Sequence, residues 1–179
     1  MENEQMVKDA LSYVLGSDLH EVWRASRKLK DGRYEPRIKK SEDESWNASH
    51  GTDQVDIANH SFEELPSNWQ YENLETAKAA INLVFDKVIS SETITPEEID
   101  SMASIIHDEW LKRNEWVFDS NYGDPKLAAP FEQLSKEEQD KDRAQLGPAI
   151  SKVQAYLEGK IDINTICEQY GLSNIGKTK

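Results

Sequence analysis

Two stretches of this chain carry one signature and decide its architecture: Leu19-His20-Glu21-Val22-Trp23 and Ile106-His107-Asp108-Glu109-Trp110. In both, a His follows an apolar residue, precedes an acidic one, and stands three positions before a Trp. A second shared signature lies downstream in each case, Phe62-Glu63-Glu64-Leu65 and Phe131-Glu132-Gln133-Leu134. Such internal similarity is typical of one supersecondary unit that stacks on its own copy.

The copies differ in length, because His20 and His107 are 87 positions apart whereas Phe62 and Phe131 are 69 apart. The first copy therefore has a longer central loop, which makes it the better candidate for the repeat that carries the functional site. We predict a mainly α fold with minor β, built from two pseudo-twofold-related helix–loop/hairpin–helix repeats packed as one globular unit. The first repeat is residues 1–92 with a long polar loop at 31–61, the second and shorter repeat is 93–160, and a short helix and tail occupy 161–179.

Apolar spacing and capping residues predict the individual helices. The first runs from about residue 4 to 15 and stops at Gly16, a typical C′ residue. Asp18 with Glu21 then begins another helix, which carries Leu19, Val22, Trp23 and Leu29 on one face, although the two helices could also be one bent helix. The loop at 31–61 is predicted to hold one small hairpin, with Tyr34, Ile38 and Val55-Asp56-Ile57 as its strand-like residues.

Later helices have clearer start signals. Ser67 precedes a long apolar stripe, Thr95-Pro96-Glu97-Glu98 combines a capping box with a Pro at the first helical position, and Ser135 pairs with Glu138. The turn Asn121–Pro125 is expected to end the Thr95 helix, Gly147-Pro148 to break the Ser135 helix, and Gly171 to stop a last helix at 162–170. Residues expected inside the core include Trp23, Trp69, Leu74, Ile81, Ile99, Met102, Ile105, Ile106, Trp110, Phe131, Leu146, Ile150, Val153 and Leu157.

The composition restricts the function classes. The chain has 179 residues and a formal charge of −13, which disfavours general nucleic-acid binding and anionic membranes. A single cysteine, Cys167, and the lack of a basic-then-apolar start lead us to expect a cytoplasmic protein without disulfides. No apolar run approaches the length that spans a membrane, so we expect no membrane partner.

Positive charge is concentrated in one segment, which we call the basic cluster. Between positions 24 and 40 it has only Asp31 and Glu35 as acids against Arg24, Arg27, Lys28, Lys30, Arg33, Arg37, Lys39 and Lys40. Such a basic cluster is most often a helix end and loop exposed to solvent. Its guanidinium groups near Tyr34 and Trp46 also suit a phosphate and a stacked base.

In these motifs the chain resembles the ryanodine-receptor repeat family. His20-Glu21-Val22-Trp23, Gly32-Arg33-Tyr34-Glu35-Pro36 and Phe62-Glu63-Glu64-Leu65-Pro66 match that family in order. The second copy matches at His107-Asp108-Glu109-Trp110, Tyr122-Gly123, Pro130–Leu134 and Asp142-Arg143, but it has an Asp for the usual Glu, a shorter loop and a Pro in its last helix. The resemblance covers residues 6–157. As a free-standing pair of such repeats, the chain is similar to proteins of bacteria and their phages.

The resemblance implies a peripheral regulatory module and supplies no catalytic residue. We predict a non-catalytic ligand-binding or regulatory module for a small anionic or nucleotide-derived molecule, with neither cofactor nor metal. The candidate ligand-binding residues are Arg24, Arg27, Lys28, Tyr34, Arg37, His20 and Glu21. The residues expected to be structural are Trp23, His107, Asp108, Trp110, Phe62, Leu65, Phe131 and Leu134.

Two other classes stay open. An acidic protein-interaction or inhibitor protein would use its charge to engage a basic partner. An all-α, metal-dependent nucleotide hydrolase would need facing carboxylate pairs, of which Glu72 with Glu75 and Glu97 with Asp100 are fragments. The two His-acid pairs recur at the same place in each copy and precede a Trp that a core favours. We therefore expect both histidines to be buried or bonded to backbone, and we expect no turnover.

Overall fold

The computed structural model of the chain describes residues 3–172 and is mainly helical, with one small two-stranded sheet. This confirms the predicted mainly α fold with minor β. The residues divide into two compact units. We call Ser12–Glu75 the hairpin unit, and Met1–Leu11 with Thr76–Lys179 the helical unit.

The hairpin unit contains the segment that was predicted as a long loop. After helix α1 (Glu4–Ala25) come strand β1 (Ile38–Lys40), helix α2 (Glu44–His50) and strand β2 (Gln54–Asp56). The two strands pair antiparallel, with Lys39 opposite Val55. A 3₁₀ turn at Phe62–Glu64 then leads into helix α3 (Ser67–Ile89). The small hairpin is confirmed, whereas the sequence analysis missed α2.

The helical unit begins its main run with α4 (Pro96–Arg113), followed by 3₁₀ turns at Glu115–Phe118 and Phe131–Gln133. Helices α5 (Lys136–Arg143), α6 (Leu146–Leu157) and α7 (Ile163–Tyr170) complete it. Helix α4 packs against α5, α6 and the Phe131 turn. In the part of the chain that the structure describes, no helix is both long and apolar enough to cross a membrane.

Helix α1 is one continuous helix, so the prediction that it ends at Gly16 is wrong and the alternative of a single helix holds. Gly16 is buried inside α1, and a Cβ built on it would lie 3.5 Å from the Asn73 carbonyl oxygen and from Leu74 Cδ2. Gly16 therefore lies inside a continuous helix, at a contact with α3 that has room for a Cβ, and does not form a turn.

Several start and stop signals are confirmed. Thr95 and Glu98 form the capping box of α4, and Pro96 occupies its first turn. The kink or break predicted at Gly147-Pro148 occurs just before it, because α5 ends at Arg143 and Pro148 lies in the first turn of α6. Gly171 has φ of +63° and ends α7. The turn at Asn121–Pro125 does not end α4, which stops eight residues earlier at Arg113. The predicted tail at Gly176–Lys179 lies outside the described residues.

Half of the fourteen residues predicted for the core are buried, and the exceptions are informative. Leu74, Ile81, Met102, Ile106, Phe131, Leu146 and Val153 are buried, while Trp23, Trp69, Ile99, Trp110 and Ile150 are half-buried. Ile105 and Leu157 are exposed, contrary to prediction, and so are Val22 and Leu29, which were predicted only to share a helix face. Ile105 precedes the buried pair Ile106 and His107, so the inward face of α4 leaves it outside.

Candidate functional site

The histidine of the first signature is a buried structural group. His20 is 3% exposed, and its Nε2 lies 2.9 Å from the carbonyl oxygen of His60. A carbonyl can only accept a hydrogen bond, so Nε2 must carry the proton and donate it. The ring also stacks on Trp23, with centroids 5.8 Å apart. Burial is the main reason that the pKa of His20 is lowered.

The histidine of the second signature has the same surroundings in the helical unit. His107 is 3% exposed, donates from Nε2 to the Ala129 carbonyl oxygen at 2.8 Å and stacks on Trp110 at 6.1 Å. Both histidines therefore match the expectation of burial and backbone bonding. Each ring holds the segment that precedes a 3₁₀ turn, at Phe62–Glu64 in one unit and at Phe131–Gln133 in the other.

One difference separates the two histidines. His107 Nδ1 lies 3.3 Å from Oδ2 of Asp142 on α5. Because Nε2 already carries a proton, a neutral His107 presents only a lone pair to this carboxyl. A hydrogen bond between them therefore needs a second proton, either on Nδ1 or on Asp142. Burial raises the pKa of Asp142 to about 6, assisted by Glu138 and opposed by His107.

A glutamine that the sequence analysis did not select repeats in both units. Gln70 Nε2 donates to the Phe62 carbonyl oxygen at 3.0 Å, and Gln139 Nε2 donates to that of Phe131 at 2.8 Å. Phe62, Leu65, Phe131 and Leu134 are all buried, as expected of structural residues. The signal that could have found the glutamines is their identical spacing, eight residues after each Phe.

Arg24 and Arg27, from the basic cluster, are fixed by backbone carbonyls. Arg24 donates from Nε to the Ala58 oxygen at 2.8 Å, and its guanidinium lies 4.5 Å from the centroid of the Tyr34 ring. Arg27 donates to the carbonyl oxygens of Glu35 at 3.0 Å and of Pro36 at 3.1 Å. The two guanidinium groups thus join the end of α1 to the chain on either side of β1.

The remaining candidate residues differ in availability. Lys28 pairs through its backbone with Tyr34, and the Arg37 N–H donates to Asp56 Oδ1, while both side chains are exposed. Glu21 accepts two hydrogen bonds from Arg24 Nη1, at 2.9 and 3.0 Å. The structure therefore brings Arg24, Arg27 and Tyr34 together with the backbone of Lys28. It places Glu21 as the internal counterion and His20 below the surface.

Trp46, named in the sequence analysis as a ring that could stack a base, packs on α2 against two histidines that the sequence analysis did not select. The ring of Trp46 stacks on His50 with centroids 3.8 Å apart, and it meets His60 edge-on at 5.9 Å. Trp46 Nε1 donates to the Glu64 carbonyl oxygen at 3.0 Å. This group connects α2 to the chain between β2 and α3. A helix of seven residues is too short for periodicity to reveal it.

The carboxylates and histidines were also searched for groups that could hold a metal ion. Within residues 3–172, no group of three or more His, Cys, Asp or Glu side chains is arranged to hold a metal ion. Asp100, a member of the candidate carboxylate set, accepts hydrogen bonds from Arg143 at 2.7 and 3.3 Å.

Comparisons with models of protein families, with curated proteins and with solved structures find no significant match.

Proposed function

We propose that the chain is a tandem pair of ryanodine-receptor-like repeats that acts as a non-catalytic binding module. The matching local geometry of the two histidines supports the duplication. In each unit, a buried His donates to a carbonyl shortly before a 3₁₀ turn, and a Gln eight residues after the Phe of that turn donates back to it. Unrelated helix pairs have no reason to repeat this set of bonds.

We further propose that the basic cluster of the hairpin unit binds a small anionic molecule, of which a nucleotide-derived one is the best candidate. The observation that carries this proposal is the pair of fixed guanidinium groups at the end of α1, of which that of Arg24 lies against the Tyr34 ring and that of Arg27 against the Trp23 ring. Their carbonyl partners hold them without neutralising their charge, so only Glu21 and Glu35 offset Arg24 and Arg27 by ion pairing. A positive site that is already ordered loses little entropy on binding.

The exposed side chains of Lys28 and Arg37 complete the site in this proposal. Within the described residues, Lys28 and Arg37 form hydrogen bonds through their backbone groups only, so no hydrogen bond uses either side chain. They are therefore free to move toward a phosphate group, and Arg37 can bind it in a bidentate manner. The two pinned arginines, each paired with a glutamate, give the site its order, whereas the side chains of Lys28 and Arg37 supply the positive charge and the direct contacts.

Thermal-shift measurements test the site. The purified chain is heated with nucleotides, cyclic dinucleotides and inorganic phosphate, and binding at about 100 times Kd adds about 2.7 kcal/mol to the apparent stability. We expect one nucleotide class to raise the Tm, and we expect K28A/R37A to remove that rise. K126A/K136A is the matched control, since it removes two exposed lysines from the helical unit. If the control lost the rise in Tm to the same extent, the rise would depend on the general charge of the chain and not on this site.

The hydrolase alternative has its own test. The same nucleotides are incubated with the chain and Mg²⁺ or Mn²⁺, and product is measured over time. Steady turnover that disappears in D142N or in H107Q would replace the binding module by an enzyme that uses the pair in the helical unit. Turnover that survives in both variants would place the activity outside this pair, either at other carboxylates of the chain or in a contaminant.

A further inference from the structure

The helical unit presents three aromatic rings to solvent in one short segment. Trp116 is 51% exposed, Phe118 is 59% exposed and Tyr122 is 83% exposed. We call residues 114–125, which include these rings, the aromatic loop. Exposed apolar residues are ordinary when scattered singly, but three large rings in seven residues are a concentration that favours an interaction site.

The aromatic loop is acidic as well as aromatic. It contains Glu115, Asp119 and Asp124 and has no Lys or Arg between Asn114 and Pro125. The backbone N–H groups of Asn121 and Tyr122 lower the pKa of Asp119, which keeps that carboxylate charged. The rings are therefore interleaved with negative charge. Of the bases that flank the loop, Lys112 pairs with Glu109, Arg113 donates to Thr76, and Lys126 follows the loop in sequence.

The backbone of the aromatic loop is held in one conformation by its own hydrogen bonds. Asp119 Oδ1 accepts from the N–H groups of Asn121 and Tyr122 at 2.7 and 2.9 Å. The Gly123 N–H donates to the Asp119 oxygen at 2.9 Å, and the Asp124 N–H donates to the Val117 oxygen at 3.1 Å. A Cβ at Gly123 would lie 2.3 Å from both of these carbonyl oxygens. Only glycine therefore permits this turn.

Side chains anchor the same loop to the helical unit. Val117 is buried, at 2% exposure, between the two exposed rings that flank it in sequence. Trp116 donates from Nε1 to Asn114 Oδ1 at 3.1 Å, and its ring meets Trp110 edge-on at 6.4 Å. The loop is thus ordered before any partner arrives, which reduces the entropy lost on binding.

We propose that the aromatic loop docks a cationic segment of a partner protein, one that presents Arg or Lys side chains. Exposed aromatic faces attract guanidinium and ammonium groups, and the neighbouring carboxylates attract the same charge. The rings alone would also suit the bases of a single strand, but three carboxylates beside them repel its phosphates. This proposal does not depend on anion binding at the basic cluster.

NMR titration of the full chain tests the proposal directly. A short peptide of alternating Arg and Gly is added, and the indole N–H of Trp116 is followed after its assignment with W116F. We expect saturable shifts at Trp116 and Tyr122. F118S/Y122S should weaken binding about tenfold, since each exposed cation–π contact contributes about 0.5–1 kcal/mol. V22S/Y71S is the matched control, because both residues are exposed and lie in the hairpin unit.

A second pair of variants separates the loop from general acidity. E115Q/D124N should weaken peptide binding, whereas D53N/E168Q removes two exposed carboxylates elsewhere and should leave it unchanged. Equal binding by the wild type and F118S/Y122S would overturn the proposal, as would the absence of any shift. Shifts with oligothymidylate but none with the peptide would assign the loop to single-stranded nucleic acid instead.

Discussion

His107 and Asp142 form an unusual pair, because a half-buried carboxyl faces a ring nitrogen that has no proton in the neutral tautomer. Asp142 has a folded-state pKa of about 6 against an ordinary value of 3.8, mainly because it is buried. The folded state therefore binds this proton more tightly than the unfolded state does. Its contribution to stability is greatest below about pH 4 and falls as the pH rises to about 6.

We predict that D142N makes the chain more stable relative to the wild type as the pH rises from 4 to 7. The amide carries no charge to bury, and its NH₂ group can donate to the Nδ1 lone pair of a neutral His107. Urea unfolding at several pH values measures the difference. D142A is the control, since it leaves Nδ1 without a partner and should cost about 1–3 kcal/mol. A constant difference between D142N and wild type across this range would show that Asp142 does not titrate as described.

Arg24 is expected to be structural as well as electrostatic. R24A removes the bond to the Ala58 oxygen, the pair with Glu21 and the contact with Tyr34. We predict a loss of about 1–3 kcal/mol in the free energy of unfolding, because the buried carbonyl loses its donor. K28A, which removes an exposed side chain, should stay within about 0.5 kcal/mol. Urea denaturation measures both variants. Equal stabilities of R24A and K28A would show that Arg24 has no structural role and contributes only to ligand binding.

At the scale of elements, Gly16 provides a test of helix α1. In a continuous helix, G16A should stabilise the chain by about 0.5–1 kcal/mol, since a Cβ there meets its neighbours at ordinary contact distance. Gly171 is the matched control, because its φ of +63° at the end of α7 makes G171A destabilising. Thermal unfolding measures both variants. A loss of stability in G16A would mean that the helix is interrupted at this glycine.

Element boundaries were predictable where local chemistry sets them. The Thr95 box, the Asp162 cap and the stop at Gly171 depend on bonds between near neighbours, so the sequence specifies them without knowledge of the fold. Gly16 misled the prediction because its neighbours in the fold, Asn73 and Leu74, are distant in sequence. Helix α2 was missed since it has seven residues and none of them is buried.

The candidate site was predictable to a similar extent. Burial of His20 and His107 followed from their repetition and from the adjacent Trp residues. Partners distant in sequence were not predictable, and these include the carbonyl groups that hold Arg24 and Arg27. The pairing of His107 with Asp142 also depends on how α5 packs against α4, which the spacing of residues along one helix does not reveal.

At the scale of the whole molecule, the formal charge of −13 should make stability depend on salt. Many carboxylates have no cation to pair with, so like-charge repulsion destabilises the folded state. Raising NaCl from about 0.01 M to about 0.15 M shortens the screening length from about 30 Å to about 8 Å. The exposed ion pairs also weaken, but each contributes only about 0–1 kcal/mol. We therefore predict a net gain in stability, measured as a higher urea midpoint.

Charge reversal tests whether net charge is the cause of that gain. D53K/E168K changes the formal charge from −13 to −9 at two exposed positions, so the midpoint should rise at low salt and respond less to NaCl. K28E/R37E changes it to −17 and should produce the opposite pair of effects. If both variants responded to NaCl as the wild type does, specific ion pairs rather than the overall acidic field would govern the stability of this chain.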